Sequence, residues 1–138
     1  MSGKHLHTTA ALCAASWLVS SVAGAAPLQG SEWSPLRVID DAVPETYGAF
    51  VRFMSKGRLA GHSGCNRLFA EYEAADGQIF VGPVAATRMY CDPALMAFEG
   101  AFASALEGAR TYRRDGAALV LFDSDGQPIL ELRQNDWD

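Results

Sequence analysis

His62, Cys65 and Asn66 fall together in the run Gly61-His62-Ser63-Gly64-Cys65-Asn66-Arg67, so one short segment holds the residue types of a thiol nucleophile, its base and an orienting amide. A catalytic thiolate needs a base within hydrogen-bond reach and a third group that orients that base. Three positions this close in one loop do not by themselves make that geometry, so no catalytic residue is assigned. A second thiol, Cys91, ends the run Thr87-Arg88-Met89-Tyr90-Cys91 and is followed by Asp92-Pro93. Two thiols in an exported chain most simply form a disulfide. Joining Cys65 to Cys91 would close a loop of about 27 residues, worth roughly 3.5 kcal/mol in the chain-entropy description. Gly61 and Gly64 are expected to supply positive φ beside the first thiol.

Other chemistries have less to stand on. Beyond the first 25 residues the two thiols lie far apart with only His62 as a further soft ligand, and neither paired CxxC nor HxxxH spacing occurs, so no metal site is expected. Asp123-Ser124-Asp125-Gly126 is similar to the opening of a calcium loop but lacks the distal glutamate, and reads as a hairpin turn. No phosphate-binding glycine loop is present, and no cofactor is expected.

The amino-terminal segment is the basis for reading the chain as exported. Residues 1–25 contain no Asp or Glu, place Lys4 with His5 and His7 near the start, continue as an apolar run and reach Ala23-Gly24-Ala25. This is the layout of a secretory signal peptide cleaved after Ala25. The alternative is an uncleaved anchor, because residues 8–26 approach the minimum spanning length of about 17 residues. Leu12 stands where a lipid-attachment motif wants a small residue before Cys13, so a lipoprotein is not expected. The whole chain has a formal charge of -5, and losing Lys4 makes the remainder one unit more negative, which argues against nucleic acid as principal partner. Residues 26–138 are long enough for one domain with one core.

These residues must be held by short strands and one helix. Period-two patterning predicts strands over 33–39, 49–54, 58–61, 67–74, 78–81, 111–114, 118–122 and 128–133, with turns at Ser55-Lys56-Gly57, Asp76-Gly77, Asp115-Gly116 and Ser124-Asp125-Gly126. Residues 40–48 are read as a loop, and 134–138 as a mobile polar tail carrying Trp137. Asp92 caps a helix that starts at Pro93 and ends near Gly108, with Leu95, Phe98, Phe102 and Leu106 on one face beside Met96. The fold class is α+β: a small antiparallel β-barrel-like sheet of about seven strands packed with one α-helix.

The ordered set Ser63-Gly64-Cys65-Asn66-Arg67, then Ala86-Thr87-Arg88-Met89-Tyr90-Cys91, then Met96 and Glu99, resembles the META domain, the HslJ-like family, over roughly residues 33–132. The resemblance implies a compact antiparallel β structure with one helix and placement in the bacterial envelope, periplasmic or secreted. It also implies a loose association with stress tolerance, motility or secretion, and no enzymatic activity. Gly61, Gly64, Asn66, Arg67, Thr87, Arg88, Met89 and Glu99 form the motif. Asn66 is expected to tie its loop through the amide. Arg88 and Glu99 are expected to form an internal ion pair or to face a ligand, and Arg67 is read the same way. Phe50, Phe53, Phe98 and Phe102 are core residues or, in an incompletely closed barrel, the lining of an apolar pocket between helix and hairpins. Two functions compete on this reading: a non-enzymatic envelope protein that binds an envelope or secretion partner under stress, and a carrier for an acyl chain or other apolar ligand. No stable membrane insertion is expected after cleavage of the signal.

Overall fold

The computed structural model describes residues 27–135 and, apart from them, Gly3. The predicted signal peptide and Trp137 therefore lie outside the described residues. Ten strands and one helix follow in the order β1 (Ser31–Val38), β2 (Asp41–Ala42), β3 (Phe50–Phe53), β4 (Arg58–His62), β5 (Arg67–Ala75), β6 (Gln78–Val81), β7 (Ala85–Ala86), α1 (Pro93–Gly108), β8 (Thr111–Asp115), β9 (Ala118–Phe122) and β10 (Pro128–Gln134). The pairing is antiparallel throughout, in the order β10-β9-β8-β6-β5-β4-β3-β1, and a β10–β1 ladder closes the ring. The wall thus has eight strands, one for each of the eight segments predicted, where the fold class gave about seven. The short β2 and β7 lie outside it, on β1 and β5.

Closure follows from the alternation. Leu119, Leu121, Leu130 and Leu132 point inward with Val51, Phe53, Leu59, Leu68, Tyr72, Ile79 and Val81, and all are buried in one cluster. An eight-stranded barrel is just wide enough for such side chains to fill. Asp76 and Gly77 both take positive φ, 53° and 79°, as a tight hairpin between β5 and β6 requires. The weak seam is β6–β8, which share a single paired position, Gln78 opposite Thr111. The chain between these strands carries α1, whose Phe102, Ala105 and Leu106 enter the same cluster. Asp92 caps α1 by accepting the Leu95 N–H at 2.9 Å, and Pro93 occupies its first turn.

Both ends of the barrel chain are fastened in ways the alternation does not announce. Leu28, ahead of β1, is buried; its carbonyl accepts the Ser31 hydroxyl, which in turn accepts Trp33 Nε1 at 2.7 Å. The expected mobile tail is tied at its start: Gln134 belongs to β10, and Asn135 bonds Ser34 and Glu32 at 2.7 and 2.9 Å. Among the described residues no helix is long and apolar enough to cross a membrane.

Candidate functional site

The loop between β4 and β5 and the loop before α1 meet at one end of the barrel. Cys65 and Cys91 are joined in a disulfide with a Cα–Cα distance of 6.0 Å. Cys65 Sγ also lies 3.8 Å from Met96 Sδ, so the first turns of α1 pack on the link. Ser63 starts the arrangement because its hydroxyl accepts two backbone N–H groups, from Cys65 at 3.1 Å and Asn66 at 3.0 Å. This is the local turn that serine favours over regular structure. The same hydroxyl donates to Glu99 Oε1 at 2.7 Å.

Asn66 is the hub. Its Oδ1 accepts the Met89 N–H at 2.7 Å and the Thr87 hydroxyl at 2.9 Å. Its Nδ2 donates to the Met89 carbonyl and to Glu99 Oε2, both at 3.2 Å. An amide side chain has two acceptor sites and two N–H donors, and here all four are used. Ser63, Asn66 and Glu99 are buried, so the carboxylate is received in the interior by two neutral donors. Thr87 completes the link by accepting the Arg67 N–H at 3.1 Å, while its own N–H donates to the Arg67 carbonyl at 3.1 Å.

The two glycines play different parts. Gly64 has φ +99°, and a Cβ there would stand 2.5 Å from the Tyr47 carbonyl oxygen. Gly61 does not take the positive φ expected of it; it is required because a Cβ would stand 2.6 Å from the Phe50 carbonyl of β3.

One expected grouping, the Arg88–Glu99 ion pair, does not form. Arg88 is exposed and makes no pair with Glu99, whose two oxygens are taken by Ser63 and Asn66; Arg67 is likewise exposed. The physical reason is that both Glu99 oxygens are already bonded by donors from the β4–β5 loop, while Arg88, in the loop after β7, is turned to solvent. His62, Cys65 and Asn66 do not assemble for catalysis, because the sulfur is in the disulfide and His62 Nδ1 accepts the Gly64 N–H at 2.9 Å. Asp123 Oδ1 accepts the N–H groups of Asp125 and Gln127, both at 2.9 Å, and so serves its hairpin turn. Among the described residues no group of three or more His, Cys, Asp or Glu could hold a metal.

The four phenylalanines do not line one pocket. Phe53 packs edge-on against Tyr72 in the barrel, and Phe102 is fully buried. Phe50 stacks on His62 outside the wall and borders a groove of about 540 Å³ with Leu36, Glu45 and Arg133. Phe98 bridges Phe102 and Tyr47 and lines a separate groove of about 470 Å³ with Val38, Val43, Ala97 and Ala101. Sequence reasoning missed Ser63 as a hub and Tyr47 as the wall against Gly64. The serine was legible as a turn former; the Tyr47 contact is made only in the tertiary structure.

A family model for the META domain matches residues 10–136. No curated protein matches the chain. Among solved structures, the fold is similar to the NMR structure of a protein from Burkholderia xenovorans, with TM-score 0.64, 23% identity, 80% of this chain covered and 85% of that one. A second NMR structure aligns with TM-score 0.61 at 22% identity, covering 77% of this chain and 90% of that one. A crystal structure of a DUF4847 family protein from Bacteroides vulgatus aligns with TM-score 0.53 at 18% identity, covering 67% and 62%. At these identities the structures share the fold alone. The family match spans nearly the whole chain, barrel, helix and both cysteine loops included: the chain belongs to the META domain family.

Proposed function

We propose that this META-domain protein works without catalysis in the bacterial envelope, periplasmic or secreted, where it binds a protein partner as part of a stress response. The observation that carries the reading is the commitment of every reactive group at the motif. Ser63 is fully buried, Asn66 uses all its hydrogen-bonding capacity, the cysteines are joined and the His62 acceptor is occupied. A site with no free nucleophile or base has structure to offer rather than chemistry. The disulfide and the signal-like segment support the location, since such bonds persist in oxidising compartments. The test is survival of a strain lacking the gene under heat, envelope-active antibiotics and secretion load. Unchanged survival in all three would overturn the stress role.

A second reading, a carrier of an apolar ligand such as an acyl chain, is favoured by the groove beside Phe98. Its walls are Val38, Val43, Tyr47 and the alanine side of α1, with Asp41 at the rim. Fluorescent fatty-acid displacement and native mass spectrometry decide it. Saturable displacement weakened by Ala97→Glu supports the carrier, and absence of both signal and co-purifying lipid removes it.

A further inference from the structure

Three of the four hydrogen bonds of the Asn66 side chain are spent on a loop whose Arg88, Met89 and Tyr90 side chains face water. Met89 is 63% and Tyr90 96% exposed, adjacent to each other. The other exposed large apolar residues lie elsewhere along the chain: Leu36 in β1 and Ile39 just after it, Met54 after β3, Phe69 in β5 and Phe80 in β6. Beneath the pair, Asn66 binds both the N–H and the carbonyl of Met89, and the disulfide holds the next residue but one, Cys91. The Asp92 cap then fixes the exit into α1. The backbone of residues 87–92 is therefore set before anything binds, and the two side chains are directed outward.

Charge gives the kind of partner. The chain as a whole is acidic, with a formal charge of -5. Arg88, next to the pair, and Arg67, whose backbone pairs with Thr87, are both exposed, and among the described residues no carboxylate lies within ion-pair distance of either guanidinium. Tyrosine and arginine are the side chains that most often anchor protein interfaces. A rigid backbone lowers the ordering cost of binding only against a receptor of fixed shape. A bilayer has no such shape, and anionic membranes are held by clusters of about four to eight basic residues, which this acidic chain does not gather here.

Resting on the partner-binding reading above, we propose that Arg88, Met89 and Tyr90 form a preorganised docking element for a protein partner that presents an apolar pocket rimmed by carboxylates. Met89 and Tyr90 fill the pocket, and Arg88 with Arg67 meets the rim.

The test is selection from a random twelve-residue peptide library displayed on phage, against the disulfide-intact protein. The expected peptides carry Asp or Glu beside Leu, Phe or Trp. Their affinity should fall at least tenfold with Arg88→Glu and with Met89→Ser/Tyr90→Ser, and be unchanged by Phe80→Ser, a control at an exposed apolar site elsewhere. Equal binding to all variants, or no enriched peptide, overturns the proposal. Tyr90-dependent binding to phosphatidylglycerol vesicles, or a Tyr90-dependent dimer of this chain, overturns it in favour of those partners. Survival of the deletion strain tests the stress reading separately, so a failure of the docking element leaves that reading to its own experiment.

Discussion

Asn66 grips Met89 by both of its backbone polar groups, accepting the N–H at 2.7 Å and donating to the carbonyl at 3.2 Å, while the same amide donates to buried Glu99. One side chain therefore couples the β4–β5 loop, the loop before α1 and α1 itself. Asn66→Ala is expected to cost about 3–5 kcal/mol, because four hydrogen bonds of roughly 0.5–1.5 kcal/mol each disappear and buried partners are left unpaired. Asn66→Asp should be at least as damaging, since it sets a second acceptor against Glu99. Urea denaturation measures both; a loss below about 1 kcal/mol would show that the amide is not the hub.

Removing the cross-link by Cys65→Ser/Cys91→Ser should lower stability by roughly 3.5 kcal/mol, less any strain relieved. The native protein should titrate no free thiol from Cys65 and Cys91, and reductant should reproduce the double substitution in a denaturation curve. Two reactive thiols in unreduced native protein would contradict the bond between them.

Glycine substitutions should separate by surroundings. Gly64→Ala combines positive φ with a Cβ 2.5 Å from the Tyr47 carbonyl, and is expected to cost about 2–4 kcal/mol. Gly100, on the exposed side of α1, has open space around its missing Cβ, so Gly100→Ala should stabilise by about 0.5–1 kcal/mol. Thermal unfolding of the two variants should move in opposite directions.

Burial raises the Tyr72 pKa above its ordinary 10.0, and its hydroxyl donates to the Met54 carbonyl at 2.9 Å. The unfolded chain ionises this phenol more readily than the folded one. Its contribution is therefore fully present below pH 10 and lost as pH rises through the higher folded-state value. Tyr72→Phe should cost about 1 kcal/mol at neutral pH. The gap between wild type and variant should narrow above pH 10, as followed by denaturant titrations from pH 8 to 11.

Much of the barrel was legible from residue order. Period-two patterning placed the inward leucines of β9 and β10, and Asp92-Pro93 marked the start of α1, because strand alternation and helix capping are local effects. Asp76-Gly77 likewise showed its turn, since positive φ is a demand on single residues. The two-residue strands β2 and β7 were not legible: a strand that short has no period to detect, and it exists only because β1 or β5 offers an edge.

At the motif, the local chemistry of the chain alone marked Cys65, Cys91, Gly64 and Asn66 as belonging together, through their types and their neighbours. What Glu99 bonds, what Gly61 avoids and where Arg88 points were settled only when three separated segments were brought against one another. Hydrogen bonds between residues more than twenty positions apart depend on distances that no local pattern encodes. The sequence could therefore name most members of the cluster, though not Tyr47, but only the closed barrel, with α1 packed on β1, β6 and β10, determined which of them meet and which face the solvent.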